Sequence, residues 1–92
     1  MASIVAGIEA EVFAAVTAHG PLQSRHEAYA VIKKELDEFW DLVKLDPCKP
    51  MRHPTKGHFM SAAEWKGEVA TELQQTAATC IRAIYDLRLR DA

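Results

Sequence analysis

Cysteine is scarce in this chain: only Cys48 and Cys80 occur among 92 residues. One falls in a Pro-rich stretch and the other in a helical pattern, with no CxxC pair. That spacing excludes a disulfide framework and a thiolate zinc site, and leaves two reduced thiols in a cytoplasmic protein as the expectation. Long apolar runs are also missing. Residues 1–20 are apolar and Ala-rich, but Glu9 and Glu11 interrupt them and no basic segment precedes them. They read neither as an uninterrupted span of about 18 apolar residues nor as a signal peptide, so no membrane partner is expected. A net charge of −2 gives no general attraction to nucleic acid, and no helix pattern presents a basic face for groove binding. None of the four histidines forms a Glu-x-x-His pair within a helical pattern, which argues against a carboxylate-bridged di-iron or di-manganese bundle.

What remains is a folded composition, 49% hydrophobic and 26% charged, too rich in apolar residues for a disordered chain. The length allows one domain, residues 1–92. A chain this short buries a modest fraction of its surface, so a homodimer or homotetramer is expected to complete its core. Gly20-Pro21 breaks the pattern once; Pro47, Pro50, Pro54 and Gly57 break it again between Asp46 and His58. Three long segments of helical period lie between the breaks. The expected fold is all-α: three long helices, with a short fourth in the second break.

The first helix should run from about Ser3 to Ala18, with Ile4, Ile8, Val12 and Val16, beside Val5, as its stripe. Being so poor in charge, it is expected to be contacted on more than one side. Ser24-Arg25-His26-Glu27 opens the second with a capping box, and Asp46-Pro47 ends it after about Leu45. His26, just after the cap, is a structural residue on this reading. Ser61-Ala62-Ala63-Glu64 opens the third in the same way, and it should reach about Leu87 or Arg88.

On a wheel at about 100° per residue, Ala28, Ile32, Leu36, Phe39 and Val43 centre the apolar face of the second helix. Val31, Leu42 and Leu45 extend it on one side, Tyr29 and Trp40 on the other. Glu35 and Glu38 fall inside this arc, while Lys33, Lys34, Asp37, Asp41 and Lys44 group opposite. An ionised carboxylate inside an apolar arc must be paired, protonated or bound to a cation. At i and i+3 the two project to one place and repel each other unless a proton or metal lies between them. Oxygen ligands alone select a hard ion such as Mg²⁺ or Mn²⁺. Ion pairing to Arg82, Arg88 or Lys66 satisfies the wheel equally well.

On the third helix Val69, Leu73, Ala77, Cys80, Ile84 and Leu87 form the expected buried stripe. Opposite runs a polar stripe of Glu68, Glu72, Gln75, Thr79, Arg82 and Asp86, which reads as a solvated face. Yet Glu72 and Gln75 repeat the i, i+3 spacing, and an antiparallel pair of helices can bring both sets to one site.

The segment from His19 to Ile32, followed by Lys34-Glu35-Leu36-Asp37-Glu38-Phe39-Trp40-Asp41, resembles the all-α NTP pyrophosphohydrolases of the MazG-like group. The later stretch from Glu72 to Arg82 resembles their second metal helix. The resemblance covers most of the chain after residue 18. It implies ExxE on one helix and ExxD on another, together holding Mg²⁺. Carried over, the ligands are Glu35, Glu38 and Glu72, with Gln75 where an Asp is common; Glu35 and Glu38 are the catalytic pair. Lys34 replaces a frequent Glu, and the two motifs lie further apart than usual. The implied reaction is attack of water at the α-phosphorus of a nucleoside triphosphate, giving the monophosphate and pyrophosphate.

The stretch from Cys48 to His58 holds Lys49, Arg52, His53, Lys56 and His58 with no acidic residue. It reads as a solvated loop or as a clamp on a triphosphate tail. Trp40 and Trp65 suit the core, or stacking on a base. The substrate side would then comprise Trp40, Lys49, Arg52, Lys56 and Arg82. A rival expectation is a non-catalytic helical interaction module with a degenerate metal site, which Lys34 and Gln75 favour.

Overall fold

The computed structural model describes residues 1–89. It is mostly helical: α1 (Ala2–His19), α2 (Arg25–Val43) and α3 (Ala62–Asp86), with a two-stranded antiparallel hairpin, β1 (Met51–Arg52) and β2 (Phe59–Met60), between the last two helices. All-α is therefore the right class apart from that hairpin. It takes the place of the short fourth helix expected in the second break. Met51 and Met60 face each other across the strands and are both buried against Leu42, so two apolar anchors close the loop as a hairpin. Gly57, at φ 82, supplies a turn that L side chains rarely adopt.

The helix starts follow their caps. Ser61 accepts from the Glu64 amide at 3.1 Å and Glu64 reaches back to the Ser61 amide, a complete capping box. Ser24 likewise accepts from the Glu27 amide, but the Glu27 carboxylate takes its bond from the Gln23 amide instead, so this box is only half formed. Helix α2 stops two residues earlier than the expected Leu45, capped by Lys44.

Helices α2 and α3 run antiparallel. The Leu22 amide donates to Asp86 at 2.8 Å near one end, and Trp65 Nε1 donates to the Leu42 carbonyl at 2.9 Å near the other. Helix α1 packs on α3, with Gly7 beside Gln74 and Gly20 beside Arg82, and therefore runs parallel to it. A Cβ on Gly7 would come within 3.1 Å of the Gln74 side chain, so this crossing uses the missing side chain. No residue of α1 is buried. By length and composition α1 could cross a bilayer, a test that apolar core helices and signal sequences also pass, so it carries no assignment.

The faces differ from the expected ones. On α2 the residues turned to α3 follow a 3,4 spacing, Ala28, Val31, Glu35, Glu38 and Leu42, continued by Leu45, so the seam lies to the carboxylate side of the apolar arc. Leu36 and Val43, expected at its centre, are exposed. On α3 the buried residues are Ala78, Thr79, Arg82 and Ala83; Thr79 and Arg82 come from the stripe expected to face solvent, and neither alanine belongs to the expected buried stripe. Leu73, Cys80 and Ile84 of the expected buried stripe are exposed. Small residues let the helices approach, and the polar stripe is the one carried into the contact. Two apolar clusters bracket it. Leu22, Ala28 and Ala83 with Val31 and Leu87 lie at one end, and Leu42, Met51 and Met60 with Leu45, Trp65 and Val69 at the other.

Candidate metal centre

Between the two apolar clusters the seam holds Glu35 and Glu38 from α2 and Glu72 from α3. Each offers a carboxylate oxygen, and these oxygens lie within 4.8 Å of one another. All three residues are half-buried, yet Glu35 Oε2 and Glu72 Oε2 are buried atoms without a hydrogen-bond partner. Burial, followed by the charges of Glu38 and Glu35, pushes the Glu72 carboxyl up to about 7. Burial, followed by the Glu38 charge, also raises Glu35 above its ordinary value. Three carboxylates at this separation cannot all ionise cheaply without added positive charge.

Protein cations do not supply it. Among the described residues only Lys34 lies within 4.0 Å of the triad, at 4.0 Å from Glu38, and its side chain is 77% exposed. Such a pair contributes little. Arg82 donates instead to the Gly20 carbonyl at 3.0 Å. Neither Arg88 nor Lys66 pairs with the cluster, so the expected alternative of ion pairs to these three residues is not realised among the described residues. The donor set and its orphaned oxygens fit a hard divalent cation.

Two cavities meet at the cluster. The larger, about 740 Å³, runs between α1, α2 and α3, and its lining includes Glu35, Glu38, Gln75, Thr79 and Arg82. The smaller, about 110 Å³, is lined by Glu38, Asp41, Leu42, His53, Pro54, Thr55, Glu68 and Glu72. Gln75 thus faces the large cavity on the side of Glu35 and Glu38. Of the residues expected on the substrate side, only Arg82 lines either of these two cavities. Trp40 is 58% exposed and lines neither, so it is not core, and Trp65 is tied to the Leu42 carbonyl. Lys49 is exposed beyond the end of α2. Arg52 lies over the Phe59 ring at 4.8 Å and donates to the Gly57 carbonyl. Lys56 sits 3.6 Å from Glu68. The basic loop is therefore spent largely on the protein itself.

Beside Glu38 and Glu72, the smaller cavity brings in Asp41, His53 and Glu68, which the sequence does not single out as site residues. The loop composition groups His53 with solvated residues, but it is buried. Its Nδ1 accepts from the Thr55 and Lys56 amides, which leaves the proton on Nε2, 3.5 Å from Glu68. The helix wheel puts Asp41 and Glu68 on outward faces, yet both line this cavity. Their positions at i+3 from Glu38 and i−4 from Glu72 were the available signal.

The chain matches no protein-family model, no curated protein and no solved structure.

Proposed function

We propose that this protein is a Mg²⁺-dependent nucleoside triphosphate pyrophosphohydrolase of MazG-like type, with Mn²⁺ as a substitute ion. The observation that carries the reading is the half-buried Glu35–Glu38–Glu72 cluster, short of positive charge and opening on a cavity of about 740 Å³. That volume suits a nucleotide-sized ligand. The three carboxylates would hold the ion, with Gln75 adding an amide oxygen one turn further along α3. The bound ion would supply charge neutralisation for the phosphates and lower the pKa of an attacking water. The chain's own part is to orient the ligands and keep a proton acceptor at hand. A carboxylate oxygen of the cluster left free of ligation would accept the proton of the water. Without it the cluster repels a polyphosphate, so activity should depend entirely on a divalent ion.

Assembly belongs to the same proposal. Leu36, Trp40 and Val43 on α2 and Leu73, Cys80 and Ile84 on α3 are exposed. Most of them follow a seam position by one residue. In an antiparallel pair that offset turns both stripes to the same side. No large side chain is wholly enclosed within the described residues of one chain. A second copy laid on this apolar side, as a homodimer or within a homotetramer, supplies the missing cover.

The test is pyrophosphate release from a panel of canonical and modified (d)NTPs, with Mg²⁺, Mn²⁺ or EDTA, for wild type and Glu38→Gln. Metal-dependent release lost in the variant is the expected result. No turnover with any substrate, together with no effect of divalent ions on thermal stability, would overturn it in favour of the interaction module.

A further inference from the structure

Arg82 is 6% exposed and lines the larger cavity. One guanidinium bond goes to the Gly20 carbonyl, and Nε is a buried donor with no partner. Among the described residues no carboxylate comes within 4.0 Å of this side chain. Asp86, one turn further on, is occupied by the Leu22 amide. A buried cation with neither counter-ion nor full hydrogen bonding is costly. Its charge calls for an anion from outside.

We propose that the Arg82 end of the larger cavity is an oxyanion subsite, which takes the terminal phosphate of a polyphosphate chain whose other end lies at the Glu35–Glu38–Glu72 cluster. The inference rests on the metal-centre reading above and assigns the remote end of the ligand. Glu72, Gln75, Thr79 and Arg82 follow one another along a single face of α3. Ten residues separate the first from the last, about 15 Å of helix rise. The Arg82 side chain leans back toward the helix N-terminus and shortens that gap. A chain of phosphoryl groups spans what is left, whereas a single orthophosphate cannot touch both ends. A guanidinium also matches a phosphate with two parallel bonds, which a Lys cannot do.

Glu11, Glu27, Glu35 and Glu38 line the same cavity, against Lys34 and Arg82. An anion therefore enters unfavourably unless a cation sits at the cluster. Cation and polyphosphate must each raise the affinity for the other by the same factor.

The experiment follows thermal unfolding of wild type, Arg82→Gln and Arg82→Lys with tripolyphosphate, orthophosphate or citrate, each with Mg²⁺ and with EDTA. Tripolyphosphate with Mg²⁺ should stabilise the wild type, with EDTA much less. Arg82→Gln should fold, keep its response to Mg²⁺ alone, and bind tripolyphosphate about 10- to 100-fold more weakly, as loss of a charge-assisted hydrogen bond predicts. Orthophosphate should affect both proteins alike. If Arg82→Gln fails to fold, Arg82→Lys carries the test, with an affinity several-fold below wild type. Unchanged tripolyphosphate affinity in a folded variant overturns the subsite, as does an Arg82-dependent response to citrate equal to that to tripolyphosphate. A wild type that ignores Mg²⁺ refutes the metal centre alone. In that case tripolyphosphate protection with EDTA that disappears in Arg82→Gln still supports the subsite, and no protection under any condition overturns it.

Discussion

The two sides of the α2–α3 pair are chemically inverted. Its inner seam carries Glu35, Glu38 and Glu72 at mid-length, while Leu36, Trp40, Leu73 and Ile84 stand outside in solvent. A chain folding only to hide apolar surface would exchange them. Carboxylates inside and aliphatic side chains outside both cost free energy in an isolated chain. Each therefore points to something beyond the chain, a cation for the seam and an apolar partner surface for the outer side. The seam's own ends show what an ordinary interior looks like here: Leu22, Ala28 and Ala83 at one end, Leu42, Met51 and Met60 at the other.

The sharpest way to break the contrast is at its centre. Glu38→Gln removes a ligand, so it should lower metal-dependent pyrophosphate release, read by kcat/KM, by more than the roughly 100-fold that loss of an outer-shell support can cost. Next comes an ordinary core position. Leu42→Ala removes the side chain on which both hairpin methionines rest and should cost about 2–4 kcal/mol in urea unfolding. It should leave divalent-ion binding at the cluster intact, which separates packing from chemistry.

On the outer side, Leu73→Glu with Ile84→Glu should leave the helical content unchanged by circular dichroism. The same pair should shift the sedimentation coefficient to that of a single chain. A wild type that already sediments as a monomer removes the case for assembly.

A smaller effect follows from Glu72. Its folded carboxyl titrates at about 7, against an ordinary 4.5. Between those values the folded state keeps a proton that the unfolded state has released. Stability of the metal-free protein should therefore fall as pH rises through this window and level off above it. Solvent reaches the cluster, which limits the loss to about 1 kcal/mol. Glu72→Gln should flatten this pH dependence and abolish stabilisation by Mg²⁺, checked by unfolding at pH 5 and pH 8. The smallest change is Ser61→Ala, which should cost about 1 kcal/mol through loss of the α3 cap.

Much of this was legible in local sequence. Ser61 and Glu64 fixed the start of α3 because a cap is chosen by residues three apart, and Gly20-Pro21 ended α1 without help from elsewhere. Glu35 and Glu38 stood out because a helix wheel shows a carboxylate inside an apolar arc before any partner is known. The hairpin was not legible: Met51 and Met60 pair only once Leu42 gives them a surface to cover.

The sequence by itself determined three helices and a pair of carboxylates in the wrong place for a simple amphipathic helix, since periodicity and capping act within a few residues. Which stripe of α3 turned inward was decided only by tertiary structure. Ala78 and Ala83 let neighbouring helices come close, and that contact carried Glu72, Thr79 and Arg82 inward while leaving Leu73 and Ile84 outside. Hydrophobicity counted along one helix cannot foresee this, because burial is settled by how closely two backbones approach, and that depends on the residues of both.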